Sequence, residues 1–169
     1  MRAFRTYDGV VDDNVARRLE QSLDQFMLRR NRDSLCNPVI AVAPAGVDRQ
    51  TYPLLTTLAR LGPLPAARLA EEVGIDRSGA SRYADRLQAA GLLDRSPDPQ
   101  DRRSMLLCLT PVGNEVIRHL RNVLAGHLGQ LISTWPAGQA EALIEGIALL
   151  IGAPGPALEL SADTQRLVS

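Results

Sequence analysis

Lysine is absent from this sequence of 169 residues, and aromatic side chains make up only 4% of it. The absence of lysine excludes a phosphate-binding loop, which needs a lysine to reach the phosphates. Because aromatic residues are so scarce, the core must be built from leucine, alanine, valine and isoleucine. We therefore expect a mainly helical fold.

Long apolar runs are also missing. No segment approaches the roughly 20 apolar residues that span a bilayer, and residues 1–10 lack the apolar stretch of a secretory leader. We expect a soluble, cytoplasmic protein that does not bind membranes. In that compartment the two cysteines, Cys36 and Cys108, are not expected to form a structural disulfide.

Residues that could bind a metal or catalyse a reaction are sparse. The two histidines, His119 and His127, share one predicted helix, and the sequence brings no further ligands to them. No serine–base–acid signature is present. We expect no metal, no cofactor and no enzymatic activity.

The positive charge consists of arginine alone. The 19 basic residues balance 19 acidic ones, so the formal net charge is zero. A zero net charge argues weakly against nucleic-acid binding, which gains affinity from counterion release. However, acids and bases can lie on different faces, and guanidinium groups contact guanine edges and phosphates bidentately.

The spacing of apolar residues predicts helices at both ends of the chain. A first helix starts near residue 12, the basic residues 29–32 close it, and residues 33–47 form a connector rich in proline and glycine. Two helices follow residue 110, the first reaching about residue 134 and the second running from Pro136 to about residue 151.

The middle of the chain predicts a helix-turn-helix followed by a hairpin. Asp48 caps a helix that starts near Thr51 and ends at Gly62-Pro63. Two short helices, over residues 65–73 and 77–90, are joined by a tight turn at residues 74–76. Strands over residues 92–96 and 105–109 then flank a turn rich in proline and aspartate.

Small and basic side chains open the second of these short helices, and arginines lie at the hairpin tip. Small side chains allow a helix N-terminus to enter a major groove about 12 Å wide, and an arginine on a thin loop can enter a narrow minor groove. Asp101 can pair with a tip arginine and fix its direction. The candidate DNA-binding residues are Arg77, Ser78, Gly79, Ser81, Arg82, Arg86, Asp101, Arg102 and Arg103.

This segment resembles the MarR family of bacterial repressors, and the close match covers roughly residues 62–113. The hairpin pattern, Asp-x-Arg with Leu-Thr downstream, is specific in combination. The motifs are Leu-Ala-Glu at 69–71, Asp-Arg-Ser at 76–78, Ser-Arg at 81–82, Asp-Arg-Leu at 85–87, Gly-Leu-Leu at 91–93, Asp-Arg-Arg at 101–103 and Leu-Thr-Pro-Val-Gly at 109–113.

The resemblance implies a winged helix-turn-helix domain flanked by N- and C-terminal dimerisation helices. It also implies a homodimer that binds double-stranded DNA at a palindromic operator, most simply as a repressor. A small, apolar or aromatic effector would lower its affinity for DNA. The corresponding divisions are a loose N-terminus (1–10), a dimerisation helix with connector (11–47), the winged domain (48–113), dimerisation helices (114–151) and a flexible tail (152–169).

The resemblance also implies roles for individual residues. Ser78, Ser81 and Arg82 would face the major groove, and Arg103 the minor groove. Phosphate contacts would come from Arg77, Arg86 and Arg102, although Arg86 could instead pair with a nearby acid. Two features depart from the family pattern: Gly79 stands where threonine is common, and the connector at 33–47 is longer than expected.

Two alternative functions use the same scaffold. Cys36 follows Arg29, Arg30 and Arg32, which could lower the pKa of its thiol and make the protein an oxidation sensor, although we favour a structural or incidental cysteine. Winged helices also serve as protein-interaction adaptors that do not bind DNA. The arginine-rich hairpin tip favours DNA over that alternative.

Overall fold

The computed structural model describes residues 13–101 and 104–152. The chain forms two compact units, residues 1–127 and 128–169. The loose N-terminus expected over residues 1–10 lies outside the described residues, as does the expected flexible tail apart from its first position. Arg102 and Arg103 lie outside them too.

The fold is mainly α with a small antiparallel sheet, as the sequence predicts. None of the helices within the described ranges is both long and apolar enough to cross a membrane. The elements in order are α1 (Asp13–Met27), α2 (Arg29–Ala41), α3 (Tyr52–Leu61), β1 (Leu64–Pro65), α4 (Ala66–Val73), α5 (Arg77–Ala89), β2 (Leu93–Pro97), β3 (Met105–Leu109), α6 (Pro111–Ile132) and α7 (Gln139–Leu150).

The connector predicted over residues 33–47 is helical over most of its length, so that expectation is wrong. The basic residues after Met27 open α2 rather than close α1, and the side chain of Asn31 donates to the carbonyl of Gln25 across the break at 2.6 Å. Pro38 lies inside α2, where its missing N–H disfavours a helix. Val39 beside it is 1% exposed and joins the core, and such packing overrides the local preference.

The predicted helix-turn-helix and hairpin are confirmed. Gly74 ends α4 with a φ of 76°, a left-handed conformation that glycine adopts without strain. The sheet has the strand order β1-β3-β2, with Leu64 opposite Leu107 and Leu93 opposite Leu109. Strand β1 is not predicted from the sequence, because two residues that include a proline carry no strand periodicity.

One hydrophobic core joins α2 to the winged segment and to the first part of α6. Aliphatic side chains dominate it, as the scarcity of aromatic residues requires. Its buried members are Val39, Val47, Leu54, Leu55, Leu58, Leu69, Ala84, Leu87, Leu92, Leu93, Leu107, Ile117 and Leu120.

The start of α6 is fixed against the turn between α5 and β2. Thr110 caps α6 by accepting from the amide of Gly113 at 2.9 Å, and its hydroxyl donates to the carbonyl of Gly91 at 2.7 Å. Gly113 has no room for a side chain, since a Cβ there would lie 2.0 Å from the carbonyl oxygen of Leu92. The helix therefore begins where the sequence predicts.

Apolar side chains on the terminal helices are exposed. In the first unit, α1 has no buried residue and carries an apolar stripe of Val15, Leu19, Leu23 and Phe26, each 38–54% exposed. In the second unit, α7 begins three residues after the predicted Pro136, because Gly138 precedes it in a left-handed conformation. Exposed apolar residues of α7 include Leu143, Ile144, Ile147, Leu149 and Leu150.

Candidate nucleic-acid interface

The N-terminus of α5 is built by Asp76, its N-cap. Its carboxylate accepts from the amide of Gly79 at 2.8 Å and from the hydroxyl of Ser78. The Ser78 hydroxyl, followed by the Gly79 amide and the positive charge of Arg82, lowers the pKa of Asp76. The cap therefore remains ionised at neutral pH and fixes the first turn of the helix.

Gly79 belongs to this cap rather than to the exposed surface. The residue is buried, and a Cβ at this position would lie 3.0 Å from a carboxylate oxygen of Asp76. Its amide is already donated to Asp76. In this arrangement Gly79 therefore has no exposed group with which to make the predicted contact to DNA.

The exposed cations on the N-terminal half of α5 (residues 77–82) are Arg77 and Arg82. Neither forms a salt bridge with another described residue, and Arg82 lies 5.2 Å from the ring centroid of Tyr83. Ser78 and Ser81 are exposed on the same half. By contrast, the other described arginines between residues 48 and 101 all form ion pairs: Arg49, Arg60, Arg68, Arg86 and Arg95.

Arg86 lies on the C-terminal half of α5 (residues 84–89) and pairs with an acid that is distant in sequence. Its Nη2 lies 2.6 Å from Oδ2 of Asp48, and its Nη1 lies 3.5 Å from the side-chain oxygen of Gln50. Burial raises the pKa of Asp48, but the bonds from Arg86 and the amides of Thr51 and Gln50 outweigh it and lower that pKa. The predicted phosphate contact at Arg86 must compete with this pair.

Arg95 of β2 connects the C-terminal half of α5 to the sheet. Its guanidinium donates to Asp85 at 2.6 Å and to Gln88 at 3.0 Å. The hairpin thus folds back beside α5 and brings Arg95 to its acidic partner.

The loop before α3 packs closely on the end of α5. Gly46 has a φ of 89°, and a Cβ built there would lie 2.6 Å from the Cβ of Ala90. The buried hydroxyl of Thr51 accepts from the amide of Asp48 at 2.8 Å and donates to the carbonyl of Gly46 at 2.9 Å. Residues 46–51 therefore form a hydrogen-bonded support for α5.

The hairpin loop is closed at its base by backbone bonds. The amide of Asp98 donates to the carbonyl of Ser104 at 3.0 Å, and that of Ser104 donates to the carbonyl of Asp101 at 2.8 Å. Asp101 is exposed and engaged in interactions of its own. Because Arg102 and Arg103 lie outside the described residues, their predicted groove and phosphate contacts stay predictions.

The cysteines lie away from the exposed N-terminal half of α5. Cys36 is half-buried on α2. Burial, followed by the neighbouring Cys36, raises the pKa of Tyr52, and Arg121 opposes this rise. Cys108 is half-buried in the sheet, with its Sγ 3.2 Å from the hydroxyl of Ser96. Within residues 13–101 and 104–152, no group of three or more His, Cys, Asp or Glu could hold a metal ion.

The winged segment is similar to known transcriptional regulators. A MarR-family model matches residues 45–104. The HTH-type transcriptional regulator YxaD of Bacillus subtilis is 30% identical over 95 residues, covering 56% of this chain and 66% of the relative. The multiple antibiotic resistance protein MarR of Salmonella typhimurium is 27% identical over 88 residues, covering 52% of this chain and 60% of the relative. The chain thus spans less than two thirds of either relative.

Solved structures share the fold over most of the chain. A MarR family protein from Bacillus stearothermophilus superposes with a TM-score of 0.72 at 15% identity, covering 84% of this chain and 96% of that one, a likeness of fold alone. The PcaV transcriptional regulator of Streptomyces coelicolor, solved with its natural ligand, covers 90% of this chain and 99% of its own, at 27% identity and a TM-score of 0.54. The winged helix-turn-helix, the family model over residues 45–104 and these relatives together show that the chain is similar to MarR-family transcriptional regulators.

Proposed function

We propose that the protein is a sequence-specific DNA-binding repressor that acts as a homodimer on a palindromic operator in the cytoplasm. The observation that carries this proposal is the exposed N-terminal half of α5, where Arg77 and Arg82 are free of salt bridges among the described residues while Ser78 and Ser81 stand beside them. Cations that no acid neutralises remain available to phosphates and base edges.

The helix geometry suits insertion into a major groove. The first turn of α5 is capped by Asp76, and the exposed residues Ser78 and Ser81 are small, so that the backbone can approach DNA closely. In this proposal Ser78, Ser81 and Arg82 contact base edges, and Arg77 contacts phosphate. Arg103, on the wing, enters the minor groove and Arg102 contacts phosphate.

The apolar surface of the terminal helices supports the proposed homodimer. A stripe such as that on α1, with Val15, Leu19, Leu23 and Phe26 exposed, normally packs against a partner. A second copy of the chain covers it in our proposal, with α7 contributing its own exposed apolar residues. Two winged segments would then read half-sites about 34–36 Å apart, or a multiple of that distance.

Relief by a small effector is the remaining part of the proposal. The PcaV regulator was solved with a natural ligand, and by analogy this protein would bind a small apolar or aromatic molecule. Linkage requires such a molecule to prefer a conformation whose two winged segments fit the operator poorly. Its expected effect is weaker DNA binding at saturating effector.

The test is selection of duplex DNA from random sequence, followed by equilibrium binding of the wild type, Arg82→Ala and Arg103→Ala. Loss of an arginine that contacts a base should weaken binding by about tenfold to a hundredfold and relax specificity at one position of each half-site. If both variants bind the selected duplex like the wild type, the assigned contacts are wrong. Failure to select any duplex, together with capture of a protein partner that salt does not disrupt, would favour an adaptor.

A further inference from the structure

The C-terminal half of α5 is held from two sides. On one side, Arg86 pairs with Asp48 in the loop before α3 at 2.6 Å. On the other, Asp85 pairs with Arg95 of β2 at the same distance. Both pairs are partly exposed, so each contributes little stability by itself, but together they connect the helix to two separate elements.

Asp48 uses its two carboxylate oxygens differently. Oδ1 accepts from the amides of Gln50 and Thr51, each at 2.9 Å, and Oδ2 accepts from Arg86. The bonds from these two amides fix the orientation of the Asp48 carboxylate independently of Arg86. Arg86 is therefore attached to a rigid acceptor rather than to a mobile surface acid.

The support extends to α2 and to the backbone of α5. Arg49, next to Asp48, contacts Asp33 at 3.4 Å and donates to the side chain of Asn37. Gly46 packs against Ala90 so closely that a side chain would overlap it. The orientation of α5 is thus coupled to the loop at residues 46–51.

We propose that Arg86 is a positioning residue for DNA recognition, which acts through Asp48 to set the angle of α5 rather than by contacting phosphate. This inference rests on the proposed DNA-binding function and replaces the phosphate contact predicted for Arg86. Asp48 is its partner in that role, although an acid near DNA ordinarily opposes binding through charge repulsion.

The experiment compares Arg86→Gln, Asp48→Asn and the double variant with the wild type on the selected duplex, over a range of salt concentrations. Asp48→Asn keeps an acceptor for the amides of Gln50 and Thr51 while removing the charge that Arg86 needs. Arg77→Ala is the matched control for loss of a phosphate contact. Thermal melts establish that each variant is folded.

We expect Arg86→Gln and Asp48→Asn to weaken binding equally, by roughly threefold to fivefold, and the double variant to be no weaker than either. The slope of log affinity against log salt should stay at the wild-type value for all three, whereas Arg77→Ala should reduce it by about 0.9.

Two outcomes contradict the inference in different ways. If Arg86→Gln reduces the salt slope as Arg77→Ala does, while Asp48→Asn binds as tightly as the wild type or more tightly, Arg86 contacts phosphate and the positioning role is wrong. The DNA-binding function then still stands. If the wild type binds no duplex, the proposed function itself fails, and the inference falls with it.

Discussion

The two halves of α5 carry charges of the same kind but use them differently. In the N-terminal half, Arg77 and Arg82 are exposed and make no salt bridge with a described residue. In the C-terminal half, Arg86 and Asp85 are each paired with a residue of another element at 2.6 Å. An arginine on a recognition helix is therefore not by itself evidence of a nucleic-acid contact, because its local partners decide whether its charge is available.

The same difference between the halves is how a chain with zero net charge would bind DNA in our proposal. Between residues 48 and 101, five of the seven described arginines pair with acids that hold the fold together. The two without such a pair in that range, Arg77 and Arg82, both lie in the N-terminal half of α5. Affinity would then depend on placement and on two linked copies rather than on overall charge.

The largest expected effect concerns the core beneath the C-terminal half. Leu87 is fully buried, so Leu87→Ala should lower the free energy of unfolding by about 2–5 kcal/mol through lost burial and a cavity. Ser81→Ala, one exposed position in the N-terminal half, should change it by less than about 0.5 kcal/mol. Urea denaturation of both variants measures these changes. Similar losses of unfolding free energy in Leu87→Ala and Ser81→Ala would contradict the expected difference between the two positions.

A smaller effect is expected where the loop meets the end of α5. Gly46→Ala places a methyl group against Ala90, whereas Gly62→Ala, at a similar positive φ of 81°, finds nothing within 4 Å. Both substitutions place a side chain at a positive φ, and at position 46 the overlap with Ala90 adds to that strain. Gly46→Ala should be the less stable by about 1–3 kcal/mol. Equal midpoints in urea would show that the loop does not press on α5.

The smallest effect concerns the cap of the N-terminal half and depends on pH. Because its pKa in the folded state is lowered, Asp76 stabilises the fold above the ordinary aspartate pKa of 3.8, and that contribution disappears as the pH falls through the lower folded value. Asp76→Ala should therefore melt below the wild type at neutral pH, with the gap closing in acid. A gap that stays constant down to pH 3 would contradict a charged cap.

Much of the winged segment could be predicted because its signals are local. Asp76 before α5, Gly74 after α4 and Thr110 before α6 are caps and stops that act within a few residues. The turn predicted at residues 74–76 and the helix predicted after residue 110 both lie at these signals. The wing strand Met105–Leu109 has the predicted bounds. The apolar stripe on α1 was equally readable from its spacing.

The remaining features depend on distant partners. Asp48 and Arg86 are 38 positions apart, and nothing in either local sequence indicates that they meet. The helical state of α2 is another example, since Pro38 argues against a helix locally and only the burial of Val39 favours it. Gly79 stands in a segment rich in exposed small residues, and the cap geometry that buries it emerges only in three dimensions.

Photo-crosslinking from two matched positions of α5 tests most directly whether its N-terminal half, rather than its C-terminal half, contacts DNA. Ser78 and Ala89 are both exposed and lie on nearly the same face of the helix, about 16 Å apart along its axis. A photoreactive amino acid is introduced at one position or the other, and each protein is irradiated with the selected duplex. We expect crosslinks to DNA from position 78 and few or none from position 89. Crosslinks from position 89 alone would contradict it.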